Sequence, residues 1–145
     1  MKIICKRLAL ETADGLSIHD ITGRVGEILS SSGVQNGQIT VFTRHTTTGI
    51  AINENEGRLL NDMAAQLESI APIGKGYSHD DIHLRDCPRN ERKNGHAHAK
   101  ALVLSASQSI PIVGGALCLG KWQAILFFEL DGGRKREVIV HVMGD

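Results

Sequence analysis

Apolar residues along this chain recur mostly at the two-residue spacing of strands, interrupted by stretches with helical spacing. Residues 3–10 read as a strand with imperfect alternation. Asp14 and Gly15 mark a turn, after which residues 16–18 form a short returning strand. Thr22 is placed to cap a helix with apolar positions Val25, Ile28 and Leu29, and Gly33 to end it. Residues 38–43 and 49–53 are predicted strands, Ile50 and Ile52 sharing one face of the second. Leu59, Leu60, Met63, Ala64 and Leu67 then follow a helical period until Pro72 stops it. Residues 74–95 are polar and without period, and a loop of that length in a compact domain is either functional or disordered. A helix is predicted over 98–106, then a meander of strands over 110–113, 116–119, 122–130 and 137–143. This succession predicts an α+β fold with mainly antiparallel sheet. With no internal repeat and no linker, residues 1–145 are expected to form a single domain.

Composition narrows the function classes. The 145 residues are 41% apolar, and 16 Lys and Arg balance 16 Asp and Glu. That content excludes intrinsic disorder, and zero net charge leaves no electrostatic footprint for nucleic acid or an anionic membrane. The longest uncharged apolar stretch, 124–128, is far below the roughly 18 residues a membrane span requires. Three cysteines without CxxC spacing argue against a disulfide framework, and the N-terminal residues lack a signal-peptide pattern. A soluble, cytoplasmic protein is expected. Seven histidines outnumber the five aromatic residues, and four of them fall between His79 and His98. Histidine is the usual ligand and proton carrier at neutral pH, so this clustering points to chemistry.

Four groups of residues are candidates. His45 lies where a strand runs into Thr46, Thr47, Thr48 and Gly49, beside hydroxyls and free backbone N–H groups that suit a metal or a phosphate; a plain turn with a surface histidine is the alternative. Asn53-Glu54-Asn55-Glu56 ends one strand and opens a helix, where Asn55 and Glu56 fit capping and Glu54 is the better candidate for chemistry. His79 stands beside Asp80 and Asp81, and His96 and His98 are two apart. If the last helix starts near Gly95, only one of that pair faces His45 and His79, and His98 is the choice. Three neutral imidazoles suit Zn²⁺ with a position left for water or substrate. Glu129, amid large apolar neighbours on residues 122–130, belongs either at an exposed strand end or in a site with a raised pKa. Arg134-Lys135-Arg136 reads either as a phosphate clamp or as a solvated strand start. Gly115 to Lys121 imitates a phosphate-binding loop, but Trp122 replaces the needed hydroxyl residue.

Taken together these motifs resemble the YjbQ-like family, also called secondary thiamine-phosphate synthases. The resemblance rests on His45-Thr46-Thr47-Thr48-Gly49-Ile50, Ile52-Asn53-Glu54-Asn55-Glu56, Tyr77-Ser78-His79-Asp80-Asp81 and Asn94-Gly95-His96-Ala97-His98 with Lys100. It continues through Ile110-Pro111-Ile112, Leu119-Gly120-Lys121-Trp122-Gln123 and Phe128-Glu129-Leu130-Asp131-Gly132. The chain departs from the family pattern at Gly57, Lys121 and Gly133. The resemblance implies two packed antiparallel sheets with flanking helices, assembled as a homotrimer. It implies a divalent metal, zinc above all, on His45, His79 and His98, with Mg²⁺ as the alternative accompanying a diphosphate. Glu54, Glu129 and Lys100 would be catalytic, and Thr46, Thr47, Asn53, Trp122, Gln123 and Arg134 would bind a small phosphorylated substrate. The implied reaction condenses a pyrimidine diphosphate with a thiazole phosphate, releasing diphosphate. The alternatives are a metal-assisted hydrolase of a small metabolite and a non-catalytic trimer that binds a metal or metabolite. Roles for His83 and His96 stay open.

Overall fold

Strand alternation sets the architecture because one central strand serves two cores. The computed structural model describes residues 1–145. Its strands are β1 (Lys2–Glu11), β2 (Gly15–Asp20), β3 (Gly37–Thr43), β4 (Thr48–Asn53), β5 (Ser107–Val113), β6 (Ala116–Leu117), β7 (Ala124–Gly132) and β8 (Lys135–Gly144). Its helices are α1 (Thr22–Ser32), α2 (Gly57–Ile70) and α3 (Gly95–Val103). Two antiparallel sheets result, ordered β1-β8-β3-β5-β6 and β2-β7-β4. This is the α+β, mainly antiparallel fold the element pattern predicts, in the two-sheet form the resemblance implies.

Between the sheets lies the larger core. Leu8 and Leu10 of β1, Ile39 and Val41 of β3, Ile110 and Ile112 of β5, and Val138, Val140 and Val142 of β8 meet Ile50, Ile125 and Phe127 of the smaller sheet. Val25 and Leu29 carry α1 into the same core. The opposite face of β7 presents Ala124, Leu126, Phe128 and Leu130 to Leu67 of α2 and Ala97 of α3. The layers are therefore five-stranded sheet, three-stranded sheet, then α2 and α3. Burying each large side chain of β7 contributes about 1.5–3 kcal/mol. No helix is long and apolar enough to cross a membrane.

The structure departs from the sequence reading in several places. The strand after the Asp14-Gly15 turn does not return onto β1. Instead β1 pairs with β8 and β2 with β7, because Leu16 and Ile18 pack in the core beneath the helices while Leu8 and Leu10 pack between the sheets. Thr22 does not cap α1; its hydroxyl donates to Asp20 Oδ1 and accepts the Ile125 N–H. Asp20 Oδ1 takes the Thr22 N–H in its place. Gly33 ends α1 in the left-handed conformation (φ 68°), as its position predicts. Helix α3 starts at Gly95 rather than at 98, and the polar segment before it is ordered by single 3-10 turns at Ser78–Asp80 and Ile82–Leu84. Glycine is required at 95, since a Cβ there would lie 2.5 Å from the Cβ of Tyr77.

The layering makes a direct prediction. Phe127→Ala lowers unfolding free energy by about 3–5 kcal/mol in urea denaturation, whereas Trp122→Ala, at an exposed position, changes it by less than about 1 kcal/mol.

Candidate functional site

Glu129 lies on the inner face of β7, completely shielded from solvent, and both of its carboxylate oxygens are engaged. Oε2 accepts from Arg136 Nε (2.6 Å) and Thr12 Oγ1 (2.7 Å). Oε1 accepts from Arg136 Nη2 (2.7 Å) and the Asp131 N–H (2.9 Å). Arg136 Nη2 also donates to Thr47 Oγ1 at 2.8 Å. Burial acts to raise the Glu129 pKa, but the hydrogen bonds from Arg136, Asp131 and Thr12 outweigh it and hold the carboxyl below its ordinary range. The structure thus corrects the expectation of an exposed or raised-pKa Glu129. Ionised at neutral pH, it positions Arg136.

This pair anchors the turn that carries His45. Thr43 Oγ1 and Thr48 Oγ1 are hydrogen-bonded across the turn at 2.7 Å, and Thr48 Oγ1 donates to the His45 carbonyl at 3.3 Å. His45 Nε2 accepts the Glu137 N–H of β8 at 3.1 Å. On the facing segment, Asn94 Nδ2 donates to Asp131 Oδ2 (2.7 Å), leaving Asn94 Oδ1 to accept from His79 Nε2 (3.2 Å). The His98 ring, on α3, meets the His79 ring edge-on with centroids 4.6 Å apart.

His45, His79 and His98 line one cavity of about 460 Å³ with no hydrophobic residue in its walls. Arg44, Arg85, Arg134 and Arg136 line it too, against the single carboxylate of Glu91. Arg134 Nη2 is paired with Asp131 Oδ2 at 2.7 Å, and Arg85 Nη1 donates to the His79 carbonyl at 2.8 Å. Burial, then the neighbouring His79 charge, lowers the His98 pKa; burial, then Arg136, lowers that of His45. Both rings are neutral at pH 7. Guanidinium groups in a partly enclosed polar cavity are chemically suited to a phosphate or carboxylate.

Of the other sequence candidates, Thr46, Thr47 and Arg134 line this cavity. Asn53, Glu54, Trp122 and Gln123 gather at the other end of β4 and β7. Thr48 pairs with Glu129 and Asn53 with Ala124, so five residues, or about 17 Å of strand, separate the two ends. There Asn53 Oδ1 accepts the Glu54 N–H, Gln123 Oε1 accepts the Gly120 N–H, and Trp122 is 65% exposed beneath Lys121. Asn53 lines an apolar groove of about 400 Å³ with Leu59, Met63 and Leu67, away from the histidines. Lys100 is buried, but its ammonium is ion-paired with Glu68 of α2 and joins two helices instead of facing the cavity. His96 acts on the Glu68 side of α3, and His83 lines a different cavity. Sequence reasoning missed Arg44, Arg85, Glu91 and Asn94; the first adjoins a motif histidine, and the rest sit in the aperiodic polar segment.

No three His, Cys, Asp or Glu side chains are disposed to hold one metal ion. His45 Nε2 accepts the Glu137 N–H, His79 bonds Asn94 through Nε2 and keeps Nδ1 unbonded, and guanidinium groups share the space. As folded, the three rings are not gathered around one point.

Glu129→Gln leaves Arg136 charged and unpaired in the interior, so urea unfolding should show a loss of about 3–5 kcal/mol. The lowered histidines give a pH dependence with a definite sign. As pH falls below about 6.5, unfolded imidazoles take protons before the folded ones do, so stability present above that value is lost on acidification. Chemical denaturation between pH 7 and pH 5 should show a shallower decline in His98→Asn than in the unaltered protein.

The family model described as UPF0047 protein YjbQ-like matches residues 6–145. A UPF0047 protein of Methanothermobacter thermautotrophicus is 40% identical over 144 residues, covering 99% of this chain and 94% of that protein. One from Archaeoglobus fulgidus is 42% identical over 136 residues, covering 94% and 98%. Among solved structures, a YbjQ-like protein of unknown function from Sulfolobus solfataricus matches with a TM-score of 0.89 at 32% identity, covering 99% of each chain. A hypothetical protein from Aeropyrum pernix matches at 0.88 and 37%, covering 98% of this chain and 99% of that one. Sequence and fold agree along nearly the whole length, and the chain belongs to the YjbQ-like UPF0047 family.

Proposed function

We propose that this protein is an enzyme that binds a small phosphorylated metabolite in the histidine–arginine cavity, with condensation of a pyrimidine diphosphate and a thiazole phosphate as the leading reaction. The observation that carries this reading is the meeting of neutral His98, its neighbour His79 and four arginines in one polar cavity. In the condensation, the thiazole nitrogen lone pair forms a bond to the pyrimidine methylene carbon. The carbon–oxygen bond breaks, and its electron pair leaves with the diphosphate. Arg44, Arg85 and Arg134 stabilise the charge gathering on that oxygen, and Arg136, fixed by Glu129, extends the same field. Neutral His98 accepts a hydrogen bond from the amino group of the pyrimidine, which helps hold the two reactants in line. Any Mg²⁺ enters with the diphosphate, as part of the substrate.

A hydrolytic reading is favoured by one feature, the lowered pKa of His98 next to anion-binding arginines, which suits a base that activates water. Self-association into a homotrimer belongs to the same proposal. The outer face of the five-stranded sheet carries exposed Ile3 and Met143, paired across β1 and β8, with exposed Phe42 farther along β3, and is a surface for a second copy. The free cysteines Cys5, Cys87 and Cys118 accord with a reducing cytoplasm.

The test is to supply both thiamine precursors and follow product by mass. Condensation is expected, and it should fall by about 10²-fold or more in His98→Ala and in Arg134→Gln. Hydrolysis of simple phosphate esters without condensation would replace the leading reaction by the hydrolytic one. Anion binding without turnover would make the protein a binding module.

A further inference from the structure

A second polar cavity, of about 640 Å³, opens beside the 3-10 turns and shares Arg85 with the histidine pocket. Arg85, Arg89, Lys93 and His83 line it, opposite Asp80 and Asp81. Asp80 is engaged elsewhere, its Oδ1 accepting the N–H of Gly95 at 2.8 Å. Arg85 is held at the boundary by its hydrogen bond to the His79 carbonyl. Arg89 and Lys93 make no hydrogen bond or ion pair within the chain, so their charges face the cavity without a protein partner. Three fixed cations against two carboxylates, one of them already bonded, leave a local excess of positive charge although the whole chain is neutral.

Each cavity alone has the volume of a complete small-ligand site, for which about 300–1,000 Å³ is usual. One phosphoryl group does not require both. We infer that the second cavity binds the phosphoryl group of a second substrate molecule, with Arg85 standing between the two anions. This inference rests on the reading of the histidine pocket as a phosphate site, and it favours group transfer between two phosphorylated molecules over hydrolysis. A hydrolase needs only water beside its substrate. Arg85 is then a shared residue whose planar guanidinium can donate to an anion on either side.

Inorganic phosphate is the probe, its binding to the full-length protein followed by calorimetry and ³¹P NMR. The unaltered protein should bind two phosphates per chain. Arg89→Gln combined with Lys93→Gln should weaken one site by about tenfold or more and leave the other. Both side chains are exposed and unbonded, so thermal unfolding should be unchanged in that variant. Arg44→Gln combined with Arg134→Gln should weaken the other site alone. A single phosphate per chain that is lost on substituting Arg44 and Arg134, or two that ignore the Arg89 and Lys93 substitutions, overturns the inference. Loss of phosphate only from the histidine pocket in the unaltered protein would instead defeat the functional reading while leaving the second subsite standing.

Discussion

The buried ion pair between Glu129 and Arg136 is the constraint on which the site depends. Glu129 belongs to the three-stranded sheet and Arg136 to the five-stranded one, so the pair spans the two layers. Thr12 at the exit of β1 and Thr47 at the entry to β4 complete its hydrogen bonding. Four separate segments are thereby brought to one point. Such a pair adds little net stability compared with well-packed apolar residues, since desolvation offsets most of its attraction. Its consequence is positional: both carboxylate oxygens and the Nε and Nη2 groups of the guanidinium are engaged, which fixes how the four segments meet.

Function follows from what that arrangement displays. Asp131, two residues beyond Glu129, accepts from both Arg134 and Asn94 at Oδ2, and Asn94 in turn orients His79. The Glu137 backbone, next to Arg136, orients His45. The positively charged cavity is therefore assembled from groups attached to the ends of rigid strands, while α3 and the 3-10 turns supply the facing wall. The other end of the same strands carries exposed Trp122 and the Asn53–Glu54 step, about 17 Å away. A small molecule placed in the cavity would reach only the first end.

Much of the fold was legible because the cores are built from periodic residues. The α2 stripe of Leu60, Met63 and Leu67, the Gly33 stop and the alternation of β7 all correspond to real packing. Sheet membership was not legible: nothing local distinguishes a strand that returns to its neighbour from one that crosses to the second sheet, as β2 does. The gathering of His45, His79 and His98 around one cavity follows motif order, whereas their hydrogen bonds do not. A sequence shows Glu129 among apolar neighbours but not the Arg136 that lies opposite it, so neither an exposed end nor a raised pKa describes it. Lys100 and Glu68 are a further case, since an ion pair between helices 32 positions apart has no local pattern. The arginines at 44 and 85 carried no periodic signal at all, yet they set the charge of the cavity.

The most direct measurement is a crystal structure of the protein grown with inorganic phosphate. A tetrahedral anion is expected within hydrogen-bonding distance of Arg134 and His98, with the Glu129–Arg136 pair intact behind it. A metal ion held jointly by His45, His79 and His98, or phosphate bound elsewhere while this cavity holds only water, would contradict it.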